Sequence, residues 1–394
     1  MELSAKITKI HPSATLGITA RANKMKSDGI DVVSFGAGEP DFPTPHAISK
    51  AGIEAIEKGF TRYTPSTGII PLKEAVRDKF KKDNGLSYDL SQIVISCGAK
   101  HSLYNIFQAI CNDNDEVIVP SPYWVSYPEM VLLAGAKPVI LKAEIKNGLK
   151  ITPKQLKAAI NKKTKAVIIN SPSNPTGAVF SSDELKELTK VILDSQACVI
   201  SDEIYENLIY DGLKHVSIAS LGDEIFKRTF VVNGVSKSYS MTGWRIGFAA
   251  GPKDAMDAIS NLQDHSTSNP ASISQKAALE ALIGGQESVA SMRVEFAKRR
   301  DYVCRRFDKM KNVSYVRPEG AFYIFVDISK TGLKSMELAK RLLEVEHVAV
   351  IPGEPFGWDD CVRLSFAASL ESIKKGLDRI EKWLSATKTS ADSR

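Results

Sequence analysis

Apolar positions along this chain fall into two patterns. Short unbroken runs, rich in valine and isoleucine, occupy 31–35, 92–96, 116–119, 137–141, 166–169, 197–201 and 229–232. Branched side chains in such short runs favour strands. Between them lie longer stretches whose apolar residues recur at helical spacing, as in 102–110 and 182–193. Repeated alternation of the two predicts an α/β fold: a largely parallel sheet with helices covering both faces. Past residue 285 the order changes. A long charged helix is predicted over 286–310, then strands at 313–316 and 321–326, a helix at 335–344, strands near 348–351 and 362–367, and a last helix at 370–385. This second pattern predicts a smaller α+β domain. The polar tail 387–394 is expected to be disordered.

Bulk properties narrow the classes. A chain of 394 residues with 43% hydrophobic content can bury a sizeable core in two or three domains. The 52 basic and 46 acidic residues leave a net charge of +6, mild for this length, so nucleic acid is not an expected partner. The densest basic patch, Lys298-Arg299-Arg300, reads as the solvated face of the long helix. The N-terminal residues lack the apolar core of a signal peptide. No run approaches the ~18 apolar residues that would span a membrane. Cys97, Cys111, Cys198, Cys304 and Cys361 are scattered and form no C-x-x-C, which fits reduced thiols and a cytoplasmic protein. The histidines show no metal-ligand spacing, and no metal is expected.

In open α/β sheets ligands bind beyond the carboxyl ends of the strands, so the residues after each run carry the candidate chemistry. After 92–96 comes Cys97-Gly98-Ala99-Lys100, opening a helix; this is either an ordinary strand–helix turn or an anion site at a helix N-terminus. After 116–119 comes "PSPYWVSYPEM", where Trp124 is either a core plug or a stacking platform for a flat ring. After 166–169 comes "NSPSNPTGAV", where Asn174 either closes a turn or offers its amide to a ligand. After 197–201 comes Asp202-Glu203-Ile204-Tyr205. A Mg²⁺-binding hydrolase would need a Gly-Lys phosphate loop that this chain lacks, which leaves a cap or a partner for a ligand cation. After 229–232 comes "NGVSKSYSMTGWRIGF". Its Lys237 and Arg245 are either surface residues, or an amine nucleophile and a phosphate clamp. Pyridoxal phosphate answers all of these together, having an aldehyde, a phosphate, a flat ring, a pyridine nitrogen and a phenolic oxygen.

With "AGEPDFPTP", "YTPSTGIIPLKEAV", "SDEIYENLIYDG" and "VRLSFA" added, the chain resembles the class I aminotransferases of the fold-type I pyridoxal-phosphate enzymes over nearly its whole length. Within them it is most similar to the bacterial-type aspartate aminotransferases, some of which also use prephenate. The resemblance implies an arm and part of the small domain over 1–46, a large cofactor domain with a mostly parallel mixed sheet over 47–285, and the small domain over 286–386. It implies that Lys237 holds pyridoxal 5'-phosphate as an internal aldimine and that Asp202 pairs with the pyridine N–H. Tyr205 and Asn174 would bond the phenolic oxygen, and Trp124 would stack on the ring. Ala99, Lys100, Ser236 and Arg245 would hold the phosphate. Tyr63 would reach the phosphate in a neighbouring subunit, which implies a homodimer. Arg363 would grip the substrate α-carboxylate, aided by Asn174 and the backbone of Gly38.

Animal-type relatives bind the distal carboxylate with an arginine, and the comparable "HSTSNPASISQ" here has none. Lys100, with Ser13 and Thr15 in "HPSATL", matches the bacterial alternative. The expected reaction is therefore ping-pong transamination between L-aspartate and 2-oxoglutarate. Prephenate transamination on the same scaffold, or elimination by a fold-type I lyase, are the alternatives.

Overall fold

The computed structural model describes residues 3–4, 6–11 and 14–386. Ser13 lies outside the described residues, and of Thr15 only its place in the helix Ala14–Ser27 is described. Seven strands form the main sheet: β1 (Ile93–Ser96), β2 (Glu116–Ser121), β3 (Lys137–Lys142), β4 (Thr164–Asn170), β5 (Cys198–Asp202), β6 (Thr229–Gly234) and β7 (Gly247–Ala250). Their order is β1-β7-β6-β5-β4-β2-β3. β7 runs antiparallel to both β1 and β6, and the other neighbours are parallel.

Successive side chains of a strand point to opposite faces, and here both faces are covered. Ile93 and Ile95 pack with Leu72, Val76 and Phe80 of the helix Ile70–Asn84. Val94, between them, packs with Leu103, Ile106 and Phe107 of the helix Ala99–Ile110. The helix Ser182–Leu193 brings Leu185, Leu188 and Ile192 against Val167, Ile169 and Val199. Its start is fixed by a capping box, in which the Ser181 hydroxyl accepts from the Glu184 N–H and Glu184 accepts from the Ser181 N–H.

A second, antiparallel sheet joins Ile351–Pro352, Cys361–Ser365, Tyr323–Asp327 and Ser314–Tyr315 in that order. Phe296 and Val303, Leu338 and Leu342, and Ile373 and Leu377 pack on it from the helices Glu287–Phe307, Ser335–Val345 and Leu370–Ala386. The run 31–35, grouped above with the sheet strands, is not in the main sheet. Only Val33–Ser34 is a strand, and it pairs with Val348–Ala349. Among the described residues no helix is long and apolar enough to cross a membrane. The five cysteines are unpaired.

The basic patch was misread. Lys298 is exposed, but Arg299 and Arg300 are buried. Arg300 Nη1 and Nη2 each donate to an Asp211 carboxylate oxygen at 2.7 Å, and Nη2 also reaches Asp301. Its guanidinium lies 4.7 Å from the Tyr210 ring centroid. A planar cation can be buried when its donors meet carboxylates in this fork geometry. The carboxylates stay half exposed while the arginine is buried, so removing the arginine should cost about 1–3 kcal/mol. Arg300→Ala should accordingly lower the urea midpoint followed by circular dichroism, and an unchanged midpoint would show that the pair contributes nothing net.

Candidate active site

The register of the main sheet sets Ser96, Gly247, Gly234, Asp202 and Asn170 along one edge. A cavity of about 670 Å³ opens there. Of the residues singled out above, Gly38, Ala99, Lys100, Trp124, Asn174, Asp202, Tyr205, Ser236, Lys237, Arg245 and Arg363 all line it. Tyr63 does not; it is 91% exposed on the surface of the single chain.

Lys237 follows β6 directly. Its Nζ donates to the Gly38 carbonyl at 2.5 Å and lies 5.9 Å from the Tyr205 ring centroid. Burial pushes its pKa down to about 8; the charge of Glu39 opposes this, and those of Arg363 and Arg245 assist. A sizeable fraction of the amine is then neutral near pH 7–8, as a nucleophile or base requires. Asp202 ends β5 and is buried. Its Oδ2 accepts from the Tyr127 hydroxyl at 2.7 Å and its Oδ1 from the Ile204 N–H at 3.3 Å. Burial raises its pKa to about 6, against those two hydrogen bonds. A cation brought beside it would lower that value again.

The turn after β1 is the candidate anion site. Gly98 has φ of +91°, and a Cβ there would meet Arg245 Nη2 at 2.5 Å. A Cβ on Gly247 would stand 2.1 Å from the Ala99 nitrogen, so glycine lets β7 pass against the helix start. The first N–H groups of a helix have no partner within it, and those of Ala99 and Lys100 belong to residues that line the cavity. Arg245 is held in place by the Thr242 carbonyl at 2.8 Å and the Cys97 carbonyl at 3.3 Å.

Arg363 is the second candidate anion-binding group. It is buried, with Nη1 donating to Asn174 Oδ1 and Nη2 to the Gly36 carbonyl, both at 3.0 Å. Its Nε has no hydrogen-bond partner, and among the described residues no carboxylate pairs with it. A buried guanidinium with an unused N–H is a site for an incoming carboxylate. Lys100 Nζ sits 4.8 Å from the Trp124 ring centroid. Burial, then the charge of Arg245, holds its pKa below the usual lysine range. Trp124 packs on the core beside Tyr127, as the core reading expects, and also lines the cavity.

The family description for aminotransferases of class I and II matches residues 30–380. The chain is 49% identical over 387 residues to an aspartate aminotransferase of Bacillus sp. (strain YM-2), covering 97% of this chain and 99% of that protein. It belongs to the class I and II aminotransferases. It is also 45% identical to the aspartate/prephenate aminotransferase of Cereibacter sphaeroides (strain ATCC 17029 / ATH 2.4.9), over 96% of this chain and 98% of that one. The solved aspartate aminotransferase from Thermus thermophilus with maleate superposes with a TM-score of 0.93 at 40% identity, covering 97% of this chain and 99% of that chain. The fold is that of the fold-type I aminotransferases.

Within this aminotransferase the cavity also holds residues to which the sequence reading gave no role. Tyr127 fixes Asp202, and its place three residues after Trp124 on a helix start was the only hint. The Tyr323 hydroxyl meets that of Tyr205 at 2.9 Å, and the Tyr323 ring lies 4.4 Å from the Arg363 guanidinium. Glu39 accepts from the Thr242 hydroxyl at 2.7 Å. Next to Asp202 in sequence, Glu203 begins a buried polar network. It accepts from Ser201, Ser217 and the ring of His215, while Glu206 pairs with Lys79 and Asn84. The donor atoms of Glu203, Glu206 and His215 lie within 4.8 Å of one another, a grouping that spacing did not reveal. With Lys79 ion-paired there and the Glu203 oxygens taken, these groups neutralise one another.

Proposed function

We propose that this aminotransferase transfers the amino group of L-aspartate to 2-oxoglutarate, giving oxaloacetate and L-glutamate, with pyridoxal 5'-phosphate as cofactor. The observation that carries the reading is the meeting of Lys237, Asp202 and Arg363 at one cavity. The donor set fits the cofactor: a low-pKa amine for its aldehyde, a buried carboxylate for its ring nitrogen, and an arginine at a helix N-terminus for its phosphate. Lys237 would hold the aldehyde carbon, and Asp202 the pyridine N–H. Tyr205 and Asn174 would bond the phenolic oxygen. Ala99 and Lys100 through backbone N–H, with Ser236 and Arg245, would hold the phosphate, and Trp124 would cover one ring face.

When bound, the cofactor supplies an electrophilic carbon for amines and a ring that takes up the electron pair left at Cα. Arg363 binds the α-carboxylate, with Asn174 and the Gly38 backbone beside it. Lys237, once the substrate amine replaces it, is the base: Nζ takes the Cα proton and hands it on. A pKa near 8 suits both steps at neutral pH. Donor and acceptor use one site in turn, which gives ping-pong kinetics.

Lys100 is the cation that supports an acidic side chain, with Ser13 and Thr15 as its proposed helpers. The names of the relatives point the same way, and maleate, found with the Thermus protein, is a dicarboxylate. Lys100→Ala should lower kcat/KM for aspartate roughly 10- to 100-fold, the range for a lost charge-assisted bond, and spare alanine as donor. Equal losses for both donors would assign Lys100 to the phosphate instead. The exposed Tyr63 supports a homodimer in which it completes the partner's phosphate site. The protein is proposed to work in the cytoplasm.

The deciding experiment is a panel of amino donors with 2-oxoglutarate, read by the L-glutamate that every active donor yields, with oxaloacetate from aspartate also read by a coupled reduction. Aspartate should lead the panel; a neutral or aromatic donor leading it would overturn the substrate assignment. The aspartate/prephenate name of the Cereibacter relative favours a second reading, in which prephenate is the acceptor. Prephenate as acceptor in the same assay tests it. Oxo acid formed without any acceptor would indicate elimination.

A further inference from the structure

Residues 36–44 run between the strand Val33–Ser34 and the helix His46–Glu57 without regular structure of their own, and Gly36, Ala37, Gly38 and Glu39 line the cavity. Among the described residues, no backbone-to-backbone hydrogen bond holds any of them. Yet two of their carbonyls anchor the chemistry. Gly36 accepts from Arg363 and Gly38 accepts from Lys237. A segment without a ladder must be placed by side chains. Two sets of anchors do so, on opposite sides.

One set comes from the stretch that carries Lys237. Thr242 donates to Glu39, the Thr44 hydroxyl donates to the Ser240 carbonyl at 2.6 Å, and the Trp244 indole donates to Thr44 at 3.0 Å. The other set comes from the long helix Glu287–Phe307, and Arg299 is its centre. The Arg299 side chain is buried, and Nη1 donates to Asp41 Oδ1 at 2.7 Å. Its guanidinium lies 4.9 Å from the Phe42 ring centroid, while Phe42 stands edge-on to Phe296 at 5.4 Å. Glu295, one turn back, accepts Arg299 Nε at 3.0 Å and sets the rotamer. Arg299 does not line the cavity.

We propose that Arg299 is a positioning residue for substrate: through Asp41 and Phe42 it fixes the segment whose Gly36 carbonyl orients Arg363 and whose Gly38 backbone borders the α-carboxylate site. The inference rests on the reading of Arg363 and Gly38 as the α-carboxylate site. Its physical basis is that a small displacement of groups that orient a substrate costs binding without removing any contacting residue. The cofactor anchors at 99–100, 202, 236 and 245 lie on other elements, so cofactor retention should not follow. A lysine at 299 keeps the charge but loses the planar stack on Phe42, so it should be intermediate.

The test uses the full-length holoenzyme with Arg299→Met, Arg299→Lys and Asp41→Asn, and the double variant Arg299→Met/Asp41→Asn. Titration with maleate, an unreactive dicarboxylate, reads carboxylate binding. KM and kcat for aspartate, cofactor absorbance after gel filtration and the urea midpoint are measured beside it. Arg299→Met and Asp41→Asn should each weaken maleate and raise KM roughly tenfold, with kcat and cofactor content near wild type. The double variant should be no weaker than the worse single, because both break one pair. Wild-type maleate affinity in both single variants, whatever their stability, overturns the inference, as does a loss that falls on kcat or cofactor content. Should Arg299→Met fail to fold, Asp41→Asn decides, since Asp41 is partly exposed. Wild type that neither binds maleate nor transaminates would sink the functional reading along with the inference; unchanged variants of an active wild type sink the inference alone.

Discussion

Lys237→Ala should abolish steady-state transamination, with kcat falling by roughly 10⁴-fold or more, because one residue serves as both nucleophile and proton carrier. The visible absorbance of covalently held cofactor should vanish with it. Lys26 also lines the cavity, from the helix Ala14–Ser27. Lys100 also lines the cavity, but its Nζ lies over Trp124. The Gly38 carbonyl that now accepts from Lys237 would lose its side-chain donor, while Gly36 would keep its bond from Arg363. Absorption spectra of the purified variant with added cofactor, together with the coupled assay, check the result. Turnover retained near the wild-type level would refute the assignment of Lys237.

The second large effect is expected from Asp202→Asn. The amide keeps the shape but not the charge that would hold a protonated ring nitrogen. Cofactor should remain attached through Lys237, while Cα proton removal slows roughly 10²–10³-fold, the usual size for loss of one buried electrostatic partner. With Cα-deuterated aspartate the isotope effect should grow, as proton removal becomes more fully limiting. Unchanged kinetics would take the electron-sink role from Asp202. A pH dependence follows as well. The Asp202 pKa of about 6 in the cofactor-free protein lies above its ordinary value, so the carboxylate form predominates only above that pH. Cofactor capture by the apoprotein should weaken as pH falls through about 6, and this inflection should be missing in Asp202→Asn.

Much of this was legible in the chain because each cofactor-facing residue directly follows a strand run. Strands β4, β5 and β6 announced themselves through side chains buried on both faces; Asp202 ends β5, and Asn174 and Lys237 lie within one short turn after β4 and β6. Strand β7 did not stand out, since its residues Gly247, Phe248, Ala249 and Ala250 include small ones chosen for close approach rather than for strand propensity. A short apolar run also cannot say which sheet it joins, and 31–35 was grouped with the wrong one. Charge patterning misled at Arg299 and Arg300 because their partners Asp41 and Asp211 lie 258 and 89 residues away in sequence. Tyr127 and Tyr323 went unread for a similar reason. A buried tyrosine is ordinary until its hydroxyl is seen to touch Asp202 or Tyr205.

The reversed direction of β7 has a consequence for how this site can change. Parallel strands must be joined by a crossover that carries the chain across the sheet and back, whereas antiparallel neighbours need only a short return. Because β6 and β7 are antiparallel, residues 235–246 never leave the reactive rim, and Lys237 and Arg245 ride on the same short return. Lengthening it would drive apart the amine and the guanidinium proposed to hold opposite ends of one cofactor. New specificities can therefore grow from the helix starts and the 36–44 segment, while this return stays at fixed length.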